Sequence, residues 1–138
     1  MNKQAQAPAG VDIHQWNAGG AKTVCTSYVL AYFGIDQSTY RYSGLKAQRA
    51  GVLRRNGFAV RSRNSAMKKG ATMGSLRTVI AAYTKDPPGT LYMVSLGYGG
   101  ECHVILLDGG GATLVDTDPR KRDRRKVLDV RAVFGACT

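Results

Sequence analysis

The prevailing period of the hydrophobic pattern changes along this chain at the Asp86-Pro87-Pro88-Gly89 stop. Before it, apolar residues recur at helical spacing. After it, they alternate or run in short blocks between glycine-rich turns, as strands do. Helices first and a run of antiparallel strands afterwards describe an α+β fold. With 138 residues, 43% of them hydrophobic, the chain is long enough to build one core without disulfide or metal staples and too short for two domains.

Residues 1–20 read as an irregular arm, with Pro8, the apolar points Val11, Ile13 and Trp16, and a turn at Asn17-Ala18-Gly19-Gly20. Residues 21–85 are expected to be mainly helical. The first helix runs from Lys22 towards Gly34, with Thr23 as N-cap and Gly34 as C-cap, which puts Cys25 in its first turn. A second helix is expected over 38–54, interrupted by Gly44 and Gly51. A short strand follows over 57–63, then a polar loop over 64–70 and a third helix from about Gly70 to Tyr83. Residues 86–138 supply the strands: 90–96, a turn at 97–100, 102–107, a hairpin at Asp108-Gly109-Gly110-Gly111, a return over 112–116, and a last strand over 126–134.

A thiol in the first turn of a helix meets partial positive charge and unpaired N–H groups, and both favour thiolate over thiol. Nucleophilic catalysis by cysteine also needs a base and a group that orients the base. The chain has only two histidines. His14 lies in the arm, but His103 opens an apolar strand, and the hairpin brings Asp116 and Asp118 back roughly opposite it. The order along the chain is Cys25, His103, aspartate. Cys102 is a weaker nucleophile, since a strand turns it to the face opposite His103 and gives it no helix terminus. Cys137 is read as inert.

The segments Gly20-Ala21-Lys22-Thr23-Val24-Cys25-Thr26, Gly70-Ala71-Thr72, Pro88-Gly89-Thr90-Leu91-Tyr92-Met93-Val94, His103-Val104-Ile105-Leu106-Leu107-Asp108-Gly109 and Val115-Asp116-Thr117-Asp118-Pro119 carry a resemblance. Taken in order, they resemble the papain-like cysteine peptidases, and more closely the small papain-like peptidases of tailed bacteriophages. The resemblance implies a single papain-like domain over residues 1–138, with N-terminal helices packed on a C-terminal antiparallel sheet. It also implies a hydrolase acting on an amide, isopeptide or thioester bond of a protein or peptide substrate. Cys25 is then the nucleophile and His103 the general acid and base. The third member is Asp118 if the Asp-Pro step is decisive, or Asp116 if the residue directly after the return strand is. Papain-like enzymes carry a glutamine several residues before the cysteine to bind the oxyanion. Here Ala18-Gly19-Gly20 occupies that stretch, which leaves Gln15, Asn17 and the Cys25 backbone N–H as candidate donors.

The balance of 20 Lys+Arg against 9 Asp+Glu gives a net charge of +11 and favours acidic partners, nucleic acid among them. Its densest tract holds Arg120, Lys121, Arg122, Arg124, Arg125 and Lys126, read as one loop available to an anion or partner. The second reading of the whole chain is therefore a catalytically idle papain-like fold used as a basic binding or structural module, such as a phage particle component. Neither reading calls for a cofactor or metal, because the cysteines and histidines lack zinc-ligand spacing. No apolar run reaches the ~18–20 residues of a membrane span, and the first residues lack the apolar centre of a signal peptide. Host-cell cytoplasm or the phage virion is the expected location, outside any membrane.

Overall fold

The computed structural model describes residues 24–35, 46–67, 71–98, 101–116 and 123–135. In chain order these form α1 (Val24–Tyr32), α2 (Lys46–Arg55), β1 (Phe58–Ser62), α3 (Asn64–Met67), α4 (Met73–Ala82), β2 (Leu91–Tyr98), β3 (Glu101–Leu107), β4 (Thr113–Val115) and β5 (Lys126–Gly135). The fold is α+β, with an open five-stranded sheet in the order β1-β5-β2-β3-β4. All neighbouring strands run antiparallel.

Helix α1 ends where the glycine rule places its end. Gly34 takes φ +83°, a conformation that costs a residue with a Cβ more than it costs glycine. The Ile35 N–H then reaches back to the Leu30 carbonyl and the Gly34 N–H to Ala31, the paired closure that satisfies a helix C-terminus. The expected cap Thr23 lies outside the described residues, as do residues 38–45 of the expected second helix.

The polar loop expected after β1 is in part a helix. Asn64–Met67 closes one turn on the Arg63 carbonyl, because Met67 inserts into the core. Asn64 is also committed, accepting from the Val130 N–H and donating to Asp129. Helix α4 starts at the N-cap Thr72, whose side chain accepts from the Ser75 N–H. The turn expected at 97–100 begins later than its glycine suggests, since β2 continues through Tyr98.

Alternation along the strands sends apolar side chains to both faces of the sheet, and helices cover both. Val60, Met93, Val104, Leu106, Val115 and Val133 pack under α1 and α2 with Tyr28, Leu30 and Leu53. Tyr92, Val94, Leu96, Ile105, Leu107 and Val130 pack under α3 and α4 with Met67, Leu76 and Ile80. One sheet strand, β1, comes from the helical half of the sequence and pairs with β5 from the far end. The two halves are thus joined by strand pairing as well as by helix packing. Among the described residues, no helix is long and apolar enough to cross a membrane.

Candidate active site

Strand β4 pairs with only the end of β3, at Leu106 and Leu107, through a register shift between them. Ahead of that point β3 has no strand partner on that side among the described residues. His103 and Val104 lie on this stretch, paired on their other side with Leu96 and Ser95 of β2. An open edge leaves backbone groups that need a partner, and the first turn of α1 supplies one. The Val104 N–H is hydrogen-bonded to Cys25, the second residue of that helix.

Cys25 is a free, half-buried thiol. It also shares a hydrogen bond with the His103 ring. On the far side of the ring, His103 Nε2 lies 2.7 Å from Asp116 Oδ1. With Nε2 turned to the carboxylate, Nδ1 is the ring nitrogen left for the thiol. The second carboxylate oxygen, Oδ2, accepts from Arg125 Nη2 at 3.1 Å. The His103, Asp116 and Arg125 side chains are 12%, 11% and 5% exposed, so each bond acts in a partly water-excluded setting.

The electrostatics follow from this line of contacts. Burial alone pushes the Cys25 thiol up. The His103 hydrogen bond, the Val104 N–H and the charges of His103 and Arg49 outweigh it and hold the thiol below its ordinary value. Burial alone pulls His103 down. The hydrogen bonds to Asp116 and Cys25 and the two negative charges outweigh it and raise the ring to about 9. Both shifts favour the same state, a thiolate beside an imidazolium.

The sequence expectations divide over this geometry. Cys25, His103 and Asp116 are brought together. Asp116 does not stand across a regular ladder from His103. It follows the last residue of β4, where continuation of the Leu106↔Val115 pairing sets it opposite Ile105, and it reaches His103 diagonally, two residues along β3 on the same face. Asp118 lies outside the described residues, as do Gln15, Asn17, Arg120, Lys121 and Arg122. The Cys102 side chain and Cys137 are outside them too.

Arg125 corrects one expectation. It is a buried side chain committed to Asp116, not part of a surface for partners, because the turn before β5 points it inward. Its neighbours Arg124 and Lys126 are exposed. Arg49 went unread in the sequence. It is buried at 4% exposure on α2, donates to Ser95 Oγ at 2.9 Å, and adds positive charge near Cys25. Its signal is present: Arg49 stands four residues before Leu53 and next to Ala50, on the apolar side of the helix. Among the described residues, no group of three His, Cys, Asp or Glu side chains is placed to hold a metal ion. No protein-family model, curated protein or solved structure matches the chain.

Proposed function

We propose that the protein is a papain-like cysteine hydrolase, of the kind found in tailed phages, that cleaves an amide, isopeptide or thioester bond. The observation that carries this reading is the unbroken line from Cys25 through His103 to Asp116, with the sulfur at a helix first turn. In the reaction, the Cys25 thiolate attacks the substrate carbonyl carbon and its electron pair moves to the carbonyl oxygen. The Cys25 backbone N–H, unpaired within the helix, is one donor for that oxyanion. The tetrahedral adduct collapses as the protonated ring of His103 gives its proton to the leaving group, and a thioester to Cys25 remains. His103, now neutral, takes a proton from water as the water oxygen attacks the thioester, and collapse of that adduct frees the acid and restores the Cys25 thiolate beside the imidazolium. Asp116 holds the ring and stabilises its positive charge in both steps.

The test is the alkylation rate of each cysteine against pH, resolved by mass spectrometry, in the intact protein and in His103→Ala, followed by a screen of peptide and thioester substrates. Fast alkylation of Cys25 at pH 6–7, lost without His103, supports the reading, since a free thiol titrates near ~8.5. A Cys25 that reacts like an ordinary thiol overturns it.

A second reading has its own observation. Arg54, Arg55, Arg61, Arg124 and Lys126 are exposed on a chain of net charge +11. The same fold then serves as a basic binding module with an idle triad. Nucleic-acid binding that weakens steeply with salt, together with an unreactive Cys25, selects it.

A further inference from the structure

We propose that Arg125 is a positioning residue that clamps Asp116 against His103, so that the working constellation is Cys25, His103, Asp116 and Arg125. The proposal rests on the thiol-hydrolase reading of the site and adds to it a residue outside the triad.

The geometry divides the carboxylate between two partners. Oδ1 faces His103 Nε2 at 2.7 Å, and Oδ2 faces Arg125 Nη2 at 3.1 Å. A carboxylate bonded through one oxygen can still swing about its terminal torsion, which is broad and soft. A second bond on the other oxygen fixes its plane. Asp116 needs that second bond, because its own backbone is weakly tied: β4 is three residues long, and its pairing with β3 is irregular.

Arg125, by contrast, is firmly mounted. Its carbonyl accepts from the Met73 N–H at 2.9 Å, at the start of α4. On either side, the Gly74 N–H donates to Asp123 and the Val127 N–H to Ala71. The segment before β5 is thus stapled to the N-terminus of α4, and the inward side chain of Arg125 carries that rigidity to the carboxylate. Arginine fits this task because its fork is pre-organised and charged throughout the working pH range.

Charge alone predicts the opposite of positioning, and the two can be separated. Among the described residues, the groups shown to face the ring or its pair include Asp116 after β4, Cys25 on α1, Arg125 before β5 and, through Cys25, Arg49 on α2. Arg125 carries the same sign as protonated His103. If it were only a neighbouring charge, its removal would let the ring pKa rise. If it holds Asp116 in place, its removal frees the carboxylate from the ring and the pKa falls.

The experiment titrates the His103 ring by NMR in the full chain carrying Cys25→Ser, alone and combined with Arg125→Met, with the resonances of the other histidine identified by His14→Gln. Arg125→Met keeps an unbranched apolar stem in the buried position and removes the charged fork. The expected result is a ring pKa lower by about one unit in the combined variant. In chains that retain Cys25, Arg125→Met is expected to slow its alkylation at pH 7 by about tenfold. Arg125→Lys recovers part of both, as a point charge without the fork. A ring pKa that rises or stays constant on Arg125→Met, in a chain that keeps its circular dichroism and thermal transition, overturns the proposal. If Arg125→Met does not fold, Arg125→Lys decides it by the same criterion. Failure of the hydrolase reading looks different: Cys25 of the unsubstituted chain alkylates like a free thiol, while the His103 titration still decides on Arg125.

Discussion

His103 and Asp116 are joined at the edge of the sheet, Nε2 to Oδ1 at 2.7 Å, where among the described residues no ladder pairing holds them together. The bond is therefore made by side chains, and a change of one atom can test it. Asp116→Asn keeps the shape and removes the charge that stabilises the protonated ring. Nearby opposite charge is worth about 1–3 pKa units. The His103 pKa is expected to fall accordingly, and Cys25 alkylation at pH 7 to slow at least tenfold, as read by mass spectrometry. The same change leaves buried Arg125 without its counter-charge, so unfolding in urea is expected to show a loss of about 3 kcal/mol. Unchanged alkylation with that loss of stability would make Asp116 a structural partner of Arg125 alone.

The thiol and the ring also leave a signature in how stability varies with pH. His103 is raised to about 9 in the folded protein, above its unfolded value. Its contribution is complete below about pH 6.5 and is lost as pH rises through about 9. Cys25 is lowered, so its contribution has the opposite sense: present above the unfolded thiol pKa and lost as pH falls through the lowered one. Between those limits the folded chain holds an extra proton on His103 and lacks one on Cys25, and the two slopes oppose each other. Cys25→Ser removes one of them. Without the thiolate the ring is raised less, so the variant is expected to lose stability between pH 6.5 and that lower ring pKa, and more steeply there than the unsubstituted chain by up to about 1.4 kcal/mol per pH unit. Urea titrations at three pH values read the difference directly, and equal slopes would mean that no thiolate–imidazolium pair forms.

The parts of this site that local sequence encodes were legible, and the parts that depend on register were not. A cysteine just inside a helix can be read from Cys25 and the terminating Gly34, because helix ends are written in short-range residue choice. The change of period at Asp86 separates α-rich from β-rich sequence for the same reason. By contrast, which carboxylate meets His103 depends on the β3–β4 register and on a diagonal contact across it, and no local residue type specifies either. Arg125 read as part of a solvated basic run because a charge cluster in a turn does not reveal which member faces inward. Arg49 required placing a charge within an apolar stripe, where the stripe itself is the stronger pattern.

Away from the site, Asp86 ties the turn before β2 to the strand behind it. Its carboxylate accepts from Arg63 Nη2 at 2.6 Å and from the Tyr92 hydroxyl at 2.7 Å, and its side chain is 3% exposed. Burial raises this carboxyl, but the Arg63 and Tyr92 hydrogen bonds and the Arg63 charge outweigh it and hold the carboxyl below its ordinary value. The contribution is therefore present above the unfolded pKa near 4 and is lost as pH falls through the lowered one. Asp86→Asn is expected to cost about 2 kcal/mol at pH 7, since hydrogen bonds to a charged group are involved. It should also make unfolding less sensitive to acid below pH 4. Chemical denaturation at pH 3 and pH 7 checks both, and an equal cost at the two pH values would remove the charge from the explanation.

The last prediction concerns the hairpin that delivers Asp116. Its turn is built on Asp108, whose Oδ1 accepts from the Gly110 and Ala112 N–H groups. Gly111 follows with φ +85°, and its carbonyl accepts from Arg77 Nη1 of α4 at 2.8 Å. A Cβ on Gly111 would stand 2.5 Å from the Arg77 carbonyl oxygen, inside any tolerable contact and against helix backbone that cannot yield. Gly111→Ala therefore suffers twice, from a disfavoured backbone conformation and from a clash that drives the hairpin off α4. The first is worth about 1 kcal/mol or more and the second adds to it, so a loss of about 2–4 kcal/mol is expected. Because β4 has only three residues to hold it, displacement of the turn is expected to carry Asp116 with it. Gly111→Ala should then slow Cys25 alkylation at pH 7, at a temperature where the chain is still folded, although the substitution lies outside Cys25, His103 and Asp116. Loss of stability with Cys25 reactivity intact would show that Asp116 is held from the Arg125 side alone and that the hairpin serves only the fold.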